Sequence, residues 1–360
     1  MPVLRHGVQT QRRRALRGAL KTLIIAPQWI GDAVMTEPLL RRLHAKGQHI
    51  TVGALPFVAP VYRAVPQVAS VIELPFKHGG LQWAARRKLA AELKGQFDAA
   101  YVLPNSIKSA LLPLLASIPK RVGYSGESRW GLLNQRLPNP PKTERPPMVG
   151  FYSRLSGDDS ASIATDRPVL RLQEQALTSA LSQLEQSAGQ FHVFATGAEY
   201  GPAKRWPTAH WADLAAGLKH PVLLLGSAKE GAQCEEIAQL ANAKRVGSVI
   251  NLAGKTTLDV AFAAIAAARS VVSNDSGLMH VAAALDVPLV ALFGSSSPLH
   301  TPPLSDQAQV IWLKNDAAYQ PALDCAPCFE RVCPLPEGQG HLRCLRDITP
   351  KRVAALLAVA

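Results

Sequence analysis

The sequence has no uncharged apolar run long enough for a membrane-spanning helix, which takes about 18 residues or more. It also lacks the apolar segment and small-residue cleavage site of a secretory signal peptide, so we expect a cytoplasmic protein. Acidic side chains are scarce: 26 Asp and Glu stand against 39 Lys and Arg, and the formal net charge is +13. A basic surface attracts nucleic acid, anionic lipid or phosphorylated substrates. Because aromatic-rich RNA signatures and zinc-finger spacings are missing, we expect no nucleic-acid partner.

Three ligand-binding fingerprints are missing as well. The Gly-x-x-x-x-Gly-Lys-Ser/Thr spacing of a Walker P-loop does not occur. No Gly-x-Gly-x-x-Gly follows the first predicted strand, which argues against an NAD(P)-dependent enzyme. There is no Asp-x-Asp metal motif either, so we expect fixed cations and backbone amides to replace a divalent ion beside any bound diphosphate.

The chain of 360 residues is too long for one ordinary core, and its alternating strands and helices predict two Rossmann-like α/β domains with a cleft between them. We expect a basic, flexible extension at 1–21, a first domain at 22–175, a second at 176–345 and a C-terminal helix at 346–360. The extension fits either a solvated tail or a segment that touches a membrane surface. The predicted strands cover 22–26, 49–55, 71–74 and 99–103 in the first domain and 191–195, 222–225, 271–273 and 289–293 in the second.

The stretch 271–298 predicts a strand, a polar turn, a short helix, a second strand and a Ser/Gly turn, which is the order of a parallel βαβ unit. Its turns, Asp275-Ser276-Gly277 and 294–297, fall at the carboxyl ends of strands, where open parallel sheets collect ligands. Backbone amides at a helix start bind phosphate well. A helix cap at Asp275 or Ser276 explains the same residue types, so both interpretations stay open.

Three further strand ends carry polar or charged residues. Gly31-Asp32 follows the first strand, and its carboxylate is either a general base or a helix cap. The turn 196–207 combines glycines with Lys204 and Arg205, which suits a diphosphate site or a basic surface loop. Glu230 follows the strand at 222–225, where an acidic residue either accepts hydrogen bonds from a ribose or begins a helix.

The cysteines cluster late in the chain, at Cys325, Cys328, Cys333 and Cys344. Such a set, with His341 nearby, can ligate a structural zinc ion, although the second pair departs from Cys-x-x-Cys spacing. Free thiols in a reducing compartment are the alternative, and a disulfide is less expected. Cys234 stands alone and is interpreted as a core residue.

Several long segments are similar to one protein family, and the similarity covers residues 23 to about 357. The segments are LIIAPQWIGDAVMTEPLLRRL at 23–43, VGYSGESRWGLLN at 122–134, GAEYGPAKRWP at 197–207, NLAGKTTLD at 251–259, SNDSGLMHVAAAL at 273–285, PLVALFGSSSP at 288–298 and CAPCFERVC at 325–333. They resemble the ADP-heptose:lipopolysaccharide heptosyltransferases of glycosyltransferase family 9, and within that family the heptosyltransferase II branch.

The resemblance implies a GT-B fold, in which two Rossmann-like domains bind the donor nucleotide mainly through the second. It implies an inverting transfer of L-glycero-D-manno-heptose from ADP-heptose to the first heptose of the lipopolysaccharide inner core. The expected acceptor is therefore of the heptosyl-Kdo2-lipid A type, and the enzyme would work at the inner face of the inner membrane as a peripheral protein. No cofactor is implied, because ADP-heptose is a substrate.

Carried over by position, Asp32 is the expected general base and Lys204 the cation that stabilises the departing ADP. The donor-binding positions implied by the resemblance are Thr196, Gly197, Lys204, Glu230, Asp275, Ser276, Gly277 and His280. Composition adds acceptor candidates, because an anionic sugar calls for basic and aromatic side chains. These candidates are Arg121, Tyr124 and Arg129.

One position departs from the pattern of the branch. Thr196 stands where heptosyltransferase II is expected to have proline, and the threonine fits heptosyltransferase I better, whereas Ser276 favours II. The alternatives are therefore heptosyltransferase I, another GT-B sugar-nucleotide transferase with a different acceptor, or a non-catalytic nucleotide-sugar-binding protein. The presence of both Asp32 and Lys204 argues against the last.

Overall fold

Each of two compact units contains a six-stranded parallel sheet. The computed structural model describes residues 20–76, 80–141 and 143–357. The first unit ends at Asp166 and the second begins at Arg167. In the described part of the chain, no helix combines the length and the apolar character needed to cross a membrane.

The first sheet has the strand order β3-β2-β1-β4-β5-β6. Its strands are β1 Leu20–Ile25, β2 Gln48–Ala54, β3 Val68–Glu73, β4 Ala99–Val102, β5 Lys120–Tyr124 and β6 Gln135–Leu137. Its helices are α1 Ile30–Met35, α2 Glu37–Ala45, α3 Ala59–Arg63, α4 Trp83–Leu93, α5 Ile107–Leu115, α6 Met148–Ser153 and α7 Ser160–Ile163. The central strand β4 and the part of β1 at 22–25 are buried on both faces, as a parallel sheet covered by helices requires.

The second sheet has the strand order β12-β11-β10-β7-β8-β9. Its strands are β7 His192–Ala195, β8 Val222–Leu225, β9 Val249–Asn251, β10 Ser270–Asn274, β11 Leu289–Phe293 and β12 Ala308–Trp312. Its helices are α8 Glu174–Gln183, α9 Thr208–Gly217, α10 Gly231–Lys244, α11 Leu258–Ala267, α12 Gly277–Ala284, α13 Arg343–Arg346 and α14 Pro350–Leu357. The order reverses between β7 and β10, and such a switch point opens a crevice beyond the strand ends.

The predicted C-terminal helix belongs to the second unit. Its regular part is α14, and 358–360 lie outside the described residues. Val353 on α14 is fully buried in the same core cluster as Trp206 and Trp211, whose rings meet edge to face at 4.9 Å. The helix therefore completes a core and is not a separate appendage.

The last two residues of the predicted extension at 1–21 belong to the first sheet. Residues 1–19 lie outside the described residues, whereas Leu20 and Lys21 are the first two residues of β1 and pair with Gln48 and His49 of β2. The backbone N–H of Lys21 also donates to Asp98 Oδ2 at 2.8 Å. Leu20 and Lys21 therefore belong to the sheet, because their backbone pairs with β2, although the sequence before them is basic.

Other differences from the sequence prediction have local causes. One continuous helix is predicted at 33–46, but α1 and α2 are separate, and Pro38 in the first turn of α2 lacks the N–H of a continuing helix. Strands β5, β6, β9 and β12 are not predicted from the sequence, because they lie at or beside sheet edges and have weaker apolar runs.

The boundary between the units falls nine residues before the predicted one, at 166/167 and not at 175/176. Arg42 of α2 donates to both carboxylate oxygens of Asp166 at 2.8 Å and to Asp158 at 3.0 Å, which holds this segment on the first unit. Beyond it, the N–H of Leu170 donates to the Ala284 carbonyl at 2.9 Å in the second unit. Ion pairing therefore sets the boundary, and loop composition does not.

Arg42→Met should loosen the segment 156–166 while the first sheet stays folded. The Arg42 side chain is 15% exposed and that of Asp166 is 8% exposed, so the loss should lie between that of a surface and a buried pair, about 2 kcal/mol. Hydrogen exchange of the amides in this segment measures the local opening. Arg63→Met, which breaks an exposed pair with Glu73, should cost less than about 1 kcal/mol. If the two variants destabilise the protein equally, the Arg42–Asp166 pair does not hold this segment.

Candidate functional site

The loops at the carboxyl ends of four strands meet at the switch point of the second sheet. They are Thr196-Gly197 after β7, 226–230 after β8, 275–277 after β10 and 294–297 after β11. Since β7 and β10 are hydrogen-bonded neighbours, the first and third of these loops are adjacent. These loops carry the predicted donor-binding residues, and the fold brings them to one edge of one sheet.

A fully buried asparagine connects these loops. Asn274 Nδ2 donates to the Thr196 carbonyl at 2.7 Å, and Asn274 Oδ1 accepts from the N–H of Trp206 at 3.2 Å. Both ends of the amide are therefore satisfied by backbone groups on either side of the turn that carries Lys204. Because an unpaired buried amide is costly, this arrangement fixes the turn against the end of β10.

An ion pair connects Lys204 to the loop that follows β10. Lys204 Nζ donates to Asp275 Oδ2 at 2.5 Å, with side-chain exposures of 18% and 6%. The ammonium group also lies 5.3 Å from the centre of the Tyr200 ring. A fixed, largely desolvated cation beside the start of α12 is suited to a negatively charged group.

The capping interpretation of Asp275 and Ser276 is not what the structure shows. Ser276 occupies the N-cap position of α12, but no side chain makes a cap hydrogen bond there. Its hydroxyl lies 3.1 Å from that of Ser273, and the Asp275 carboxylate binds Lys204. Gly277 is the first residue of the helix, so the amides at this end are approached by no capping side chain.

His280, on the first turns of α12, is buried. Burial lowers the pKa of His280 to about 4, the nearby Asp275 opposes the shift and Lys204 adds to it. The imidazole is therefore neutral near pH 7 and acts as a polar neutral group rather than as a cation.

Thr196 is fully buried, and its hydroxyl lies 3.4 Å from Cys234 Sγ on α10. The hydroxyl is thus turned into the core, and the backbone of this loop remains to meet a ligand. Thr196, one of the implied donor-binding positions, therefore offers a ligand its backbone and not its hydroxyl. Cys234 itself is fully buried, in agreement with its interpretation as a core residue.

Glu230 lies between two glycines at neighbouring strand ends. Its Oε2 accepts from the N–H and the hydroxyl of Ser227 at 2.7 and 3.0 Å, which closes a capping box. A Cβ on Gly197 would lie 1.7 Å from Glu230 Oε1, and one on Gly226 would lie 3.0 Å from Oε2. The helix-start interpretation of Glu230 is therefore correct, and the same contacts hold its carboxylate over the Gly197 loop.

Asp32 lies within the first turn of α1, whose N-cap residue is Trp29, so Asp32 is not the helix cap. Tyr152 of α6 donates its hydroxyl to Asp32 Oδ1 at 3.0 Å. Burial first, and then the charge of Asp32 and the hydrogen bond to it, hold the pKa of Tyr152 well above its usual range. Tyr152 is therefore a permanent donor that orients a carboxylate at the end of β1.

The three acceptor candidates are engaged inside the first unit. Arg129 is 1% exposed and donates to the carbonyls of Pro104 and Tyr124, and burial lowers its pKa. Tyr124 is buried and stacks on Phe151 with ring centres 4.0 Å apart. Arg121 donates to backbone carbonyls at 118 and 132. All three side chains are therefore held by contacts within the protein, and a role in acceptor binding stays a prediction.

The four late cysteines line one cavity of about 20 Å³ in the second unit. All four are free thiols. Burial, with the three neighbouring sulfurs, raises the pKa of Cys344 to about 12. In the described parts of the chain, no three His, Cys, Asp or Glu side chains already stand at the spacing of a metal centre.

Sequence reasoning missed the roles of Asn274 and Tyr152. Asn274 is the last residue of the buried strand β10, where a polar side chain without solvent must find backbone partners, and that position is a usable signal. Tyr152 is 120 residues from Asp32 in the chain, and no local pattern connects the two.

Gly197→Ala should destabilise the second unit by about 1–3 kcal/mol, because the new Cβ collides with the Glu230 carboxylate. The cost should shrink in a Glu230→Ala background, which removes the colliding group. Chemical denaturation of the four proteins of this cycle gives the coupling energy. Gly217→Ala is the matched control, since its Cβ meets nothing within 4 Å and should be neutral or slightly stabilising. If Gly197→Ala destabilises the wild-type and Glu230→Ala proteins equally, the collision with Glu230 is not the cause.

Comparisons with known proteins show the family of this chain. The sequence model of glycosyltransferase family 9 (heptosyltransferase) matches residues 86–337 of this chain. Lipopolysaccharide heptosyltransferase 2 of Escherichia coli K12 is 41% identical over 350 residues, covering 93% of this chain and 96% of the relative. Lipooligosaccharide heptosyltransferase 2 of Haemophilus influenzae is 41% identical over 309 residues, covering 82% and 89%.

The structure of E. coli ADP-heptose lps heptosyltransferase II aligns with a TM-score of 0.79 at 39% identity, over 94% of this chain and 98% of that one. The predicted GT-B class, with its two Rossmann-like sheets, is thereby confirmed. The chain belongs to glycosyltransferase family 9, the family of the heptosyltransferases.

Proposed function

We propose that this protein is a heptosyltransferase II, which moves L-glycero-D-manno-heptose from ADP-heptose to the first heptose of a heptosyl-Kdo2-lipid A acceptor. Family membership supports the transferase class, and the likeness to two heptosyltransferase 2 proteins supports the branch. The observation that carries the proposal is the fixed Lys204–Asp275 pair among the strand-end loops at the switch point.

The donor diphosphate would lie against this pair and the start of α12. When the bond between the anomeric carbon and the phosphate oxygen breaks, its electron pair leaves with ADP. Lys204 and the backbone amides at Gly277 stabilise the negative charge that develops, and interactions that strengthen in the transition state accelerate the reaction. Because Lys204 supplies this positive charge, we expect no increase in rate on addition of Mg²⁺.

Asp275 and Glu230 have positioning roles in this proposal. Asp275 holds Lys204 at 2.5 Å and so removes the entropic cost of ordering a long side chain when the donor binds. Glu230, held over Gly197 by Ser227, presents a carboxylate oxygen at the end of β8, where a ribose hydroxyl can donate to it. His280 stays neutral beside them and adds no charge.

On the acceptor, the hydroxyl oxygen attacks the anomeric carbon on the face opposite the leaving ADP, which inverts the configuration. Asp32 accepts the hydroxyl proton as this bond forms. Tyr152 donates to Asp32 Oδ1 and fixes the orientation of the carboxylate. The first unit therefore supplies the base, and the second supplies the charge that stabilises the leaving group.

ADP release from ADP-heptose, with and without heptosyl-Kdo2-lipid A, tests the proposed function. Acceptor-dependent release is expected, and Lys204→Ala should lower kcat by about 10²–10³-fold. Release that needs Kdo2-lipid A instead would favour heptosyltransferase I. Binding of the donor without release under either condition would overturn the catalytic assignment.

Asp32→Asn should lower kcat by about 10²-fold or more, because the amide cannot take the acceptor proton, while donor affinity stays unchanged. Tyr152→Phe should lower kcat less, by about tenfold, because it loosens the base without removing it. Steady-state kinetics with both substrates measures the split between kcat and KM. Tyr101→Phe is the matched control, since this buried tyrosine hydrogen-bonds Gln48. Wild-type turnover by Asp32→Asn would refute the general base.

We propose that the acceptor contacts exposed side chains next to Arg129, one of the candidates that composition suggested. Trp130 is 73% exposed, and the Arg136 guanidinium lies 4.4 Å from the centre of its ring. Both line a cavity of about 220 Å³ beyond the end of β5, together with 125–129. An exposed indole stacks on a sugar face, and the arginine pairs with a carboxylate or phosphate of the acceptor.

Trp130→Ala and Arg136→Ala should each raise the acceptor KM by about tenfold and leave the donor KM unchanged, because they remove acceptor contacts only. Initial rates over an acceptor series measure both constants. Trp83→Ala, which truncates an indole that is 45% exposed at the start of α4, is the control and should change neither. An unchanged acceptor KM in both variants would remove this surface from the acceptor site.

The acceptor is a lipid, so we also propose that the protein works at the inner face of the inner membrane as a peripheral protein. The net charge of +13 supports attraction to anionic headgroups. Sedimentation with vesicles that contain anionic lipid, at low and high salt, tests this. Salt-sensitive co-sedimentation is expected, and binding that ignores lipid charge would contradict it.

A further inference from the structure

We propose that Cys325, Cys328, Cys333 and Cys344 bind one thiophilic divalent metal ion, and that this ion fixes the loop that carries Lys204. The second half of this proposal rests on the proposed function, whereas the first half does not. Four sulfur ligands suit tetrahedral coordination, which Zn²⁺ and Fe²⁺ accept. Binding would release the protons of the thiols to solvent as the thiolates form.

The four cysteines come together although they are spread over a long segment. All four line the same cavity of about 20 Å³, which is close to the volume that one small ion or water occupies. Free thiols do not need to converge on one cavity, and one disulfide would use only two of them. The thiols must turn into the cavity to reach ligand spacing, because no completed cluster is present among the described residues.

The segment that carries most of these cysteines has no regular secondary structure. From 316 to 342 the described chain contains no helix or strand. Long segments of this kind are usually functional, and a bound metal ion is one way to order them. The N–H of Leu342 donates to Cys333 Sγ at 3.4 Å, an interaction of the kind that supports a thiolate ligand.

A second observation points to a missing group in this cavity. Ser295, at the end of β11, is 2% exposed and lines the cavity. Its hydroxyl finds no hydrogen-bond partner among the described residues. Buried polar atoms without partners are rare and call for an explanation, such as a bound ion or its attendant water. His341 bonds the Leu335 carbonyl at 2.7 Å and does not line the cavity, which favours a four-sulfur set.

The cysteine segment is connected directly to the turn that carries Lys204. Tyr200 donates its hydroxyl to the Phe329 carbonyl at 2.7 Å, and Arg331 Nε donates back to the Tyr200 carbonyl at 2.7 Å. The N–H of Ala203 donates to the Arg331 carbonyl at 3.1 Å, and Ala203 also lines the cavity. Residues 329–331 lie between Cys328 and Cys333, so an ion that orders these ligands also orders the partners of the turn.

The turn that carries Lys204 and the cysteine segment approach each other very closely. A Cβ on Gly201 would lie 2.3 Å from the Arg331 carbonyl oxygen, so only glycine allows the two backbones to meet here. A shift of the cysteine segment is therefore transmitted to residues 200–204 by backbone contact. We expect loss of the ion to weaken the hold on Lys204 without unfolding the sheet.

Metal content of the full chain, purified without a metal-affinity tag, tests the first half. Elemental analysis should find about one Zn or Fe per chain, and the Cys325→Ser/Cys328→Ser variant should lose it. Cys234→Ala, which removes the one cysteine outside the cavity, should keep it. If the double variant does not fold, Co²⁺ added to the chelator-treated wild-type chain should give the absorption of tetrahedral thiolate coordination. Four reduced thiols without metal or cobalt absorption, or a mass showing a disulfide, would overturn the site.

Hydrogen exchange and ADP binding test the second half on the same samples. Without the ion, the amides of 199–205 should exchange faster, and the Kd for ADP should rise by about tenfold or more. Restoring Zn²⁺ to the wild-type chain should reverse both changes. Unchanged exchange and ADP affinity in the metal-free chain would show that the ion does not order the turn. Because metal stoichiometry does not depend on heptosyl transfer, failure of the proposed function would leave that result intact.

Discussion

The buried amide of Asn274 is the constraint on which the site in the second unit depends. One of its ends holds the loop after β7, and the other holds the backbone just beyond Lys204. Since neither partner can turn to water, the loop and the turn must keep their positions relative to β10. The short side chain of Asn274, at the end of a rigid strand, thereby positions the charge of Lys204, whose side chain is long and flexible.

The charged groups follow from this constraint. Lys204 reaches Asp275, the residue next to Asn274 in the chain, so the cation and its partner are both tied to the end of β10. Glu230 is fixed separately, by its contact with Gly197 and its capping box with Ser227. Preorganised groups of this kind need no reorganisation when charge develops on a leaving group, which is the main source of electrostatic catalysis.

Sequence reasoning succeeded where a single rule decides the outcome. Buried strands such as β8 and β11 are apolar runs, and in a parallel sheet the polar loops at their carboxyl ends meet at one edge, so the strands and the meeting of these loops were predictable. The edge strands β6, β9 and β12, and β5 beside an edge, lack such runs and were missed. Arg129 and Tyr124 are buried, which composition could not show, because only packing decides which side chains face water. The partnership of Tyr152 with Asp32 depends on tertiary contact and has no local signal.

The orientation of Thr196 changes how its identity should be understood. Its hydroxyl meets Cys234 on α10 and is sealed from solvent, so the residue type at this position reports how strand and helix pack. Threonine at 196 therefore does not count against the heptosyltransferase II branch, and substrate preference has to be decided by the residues that line the open loops.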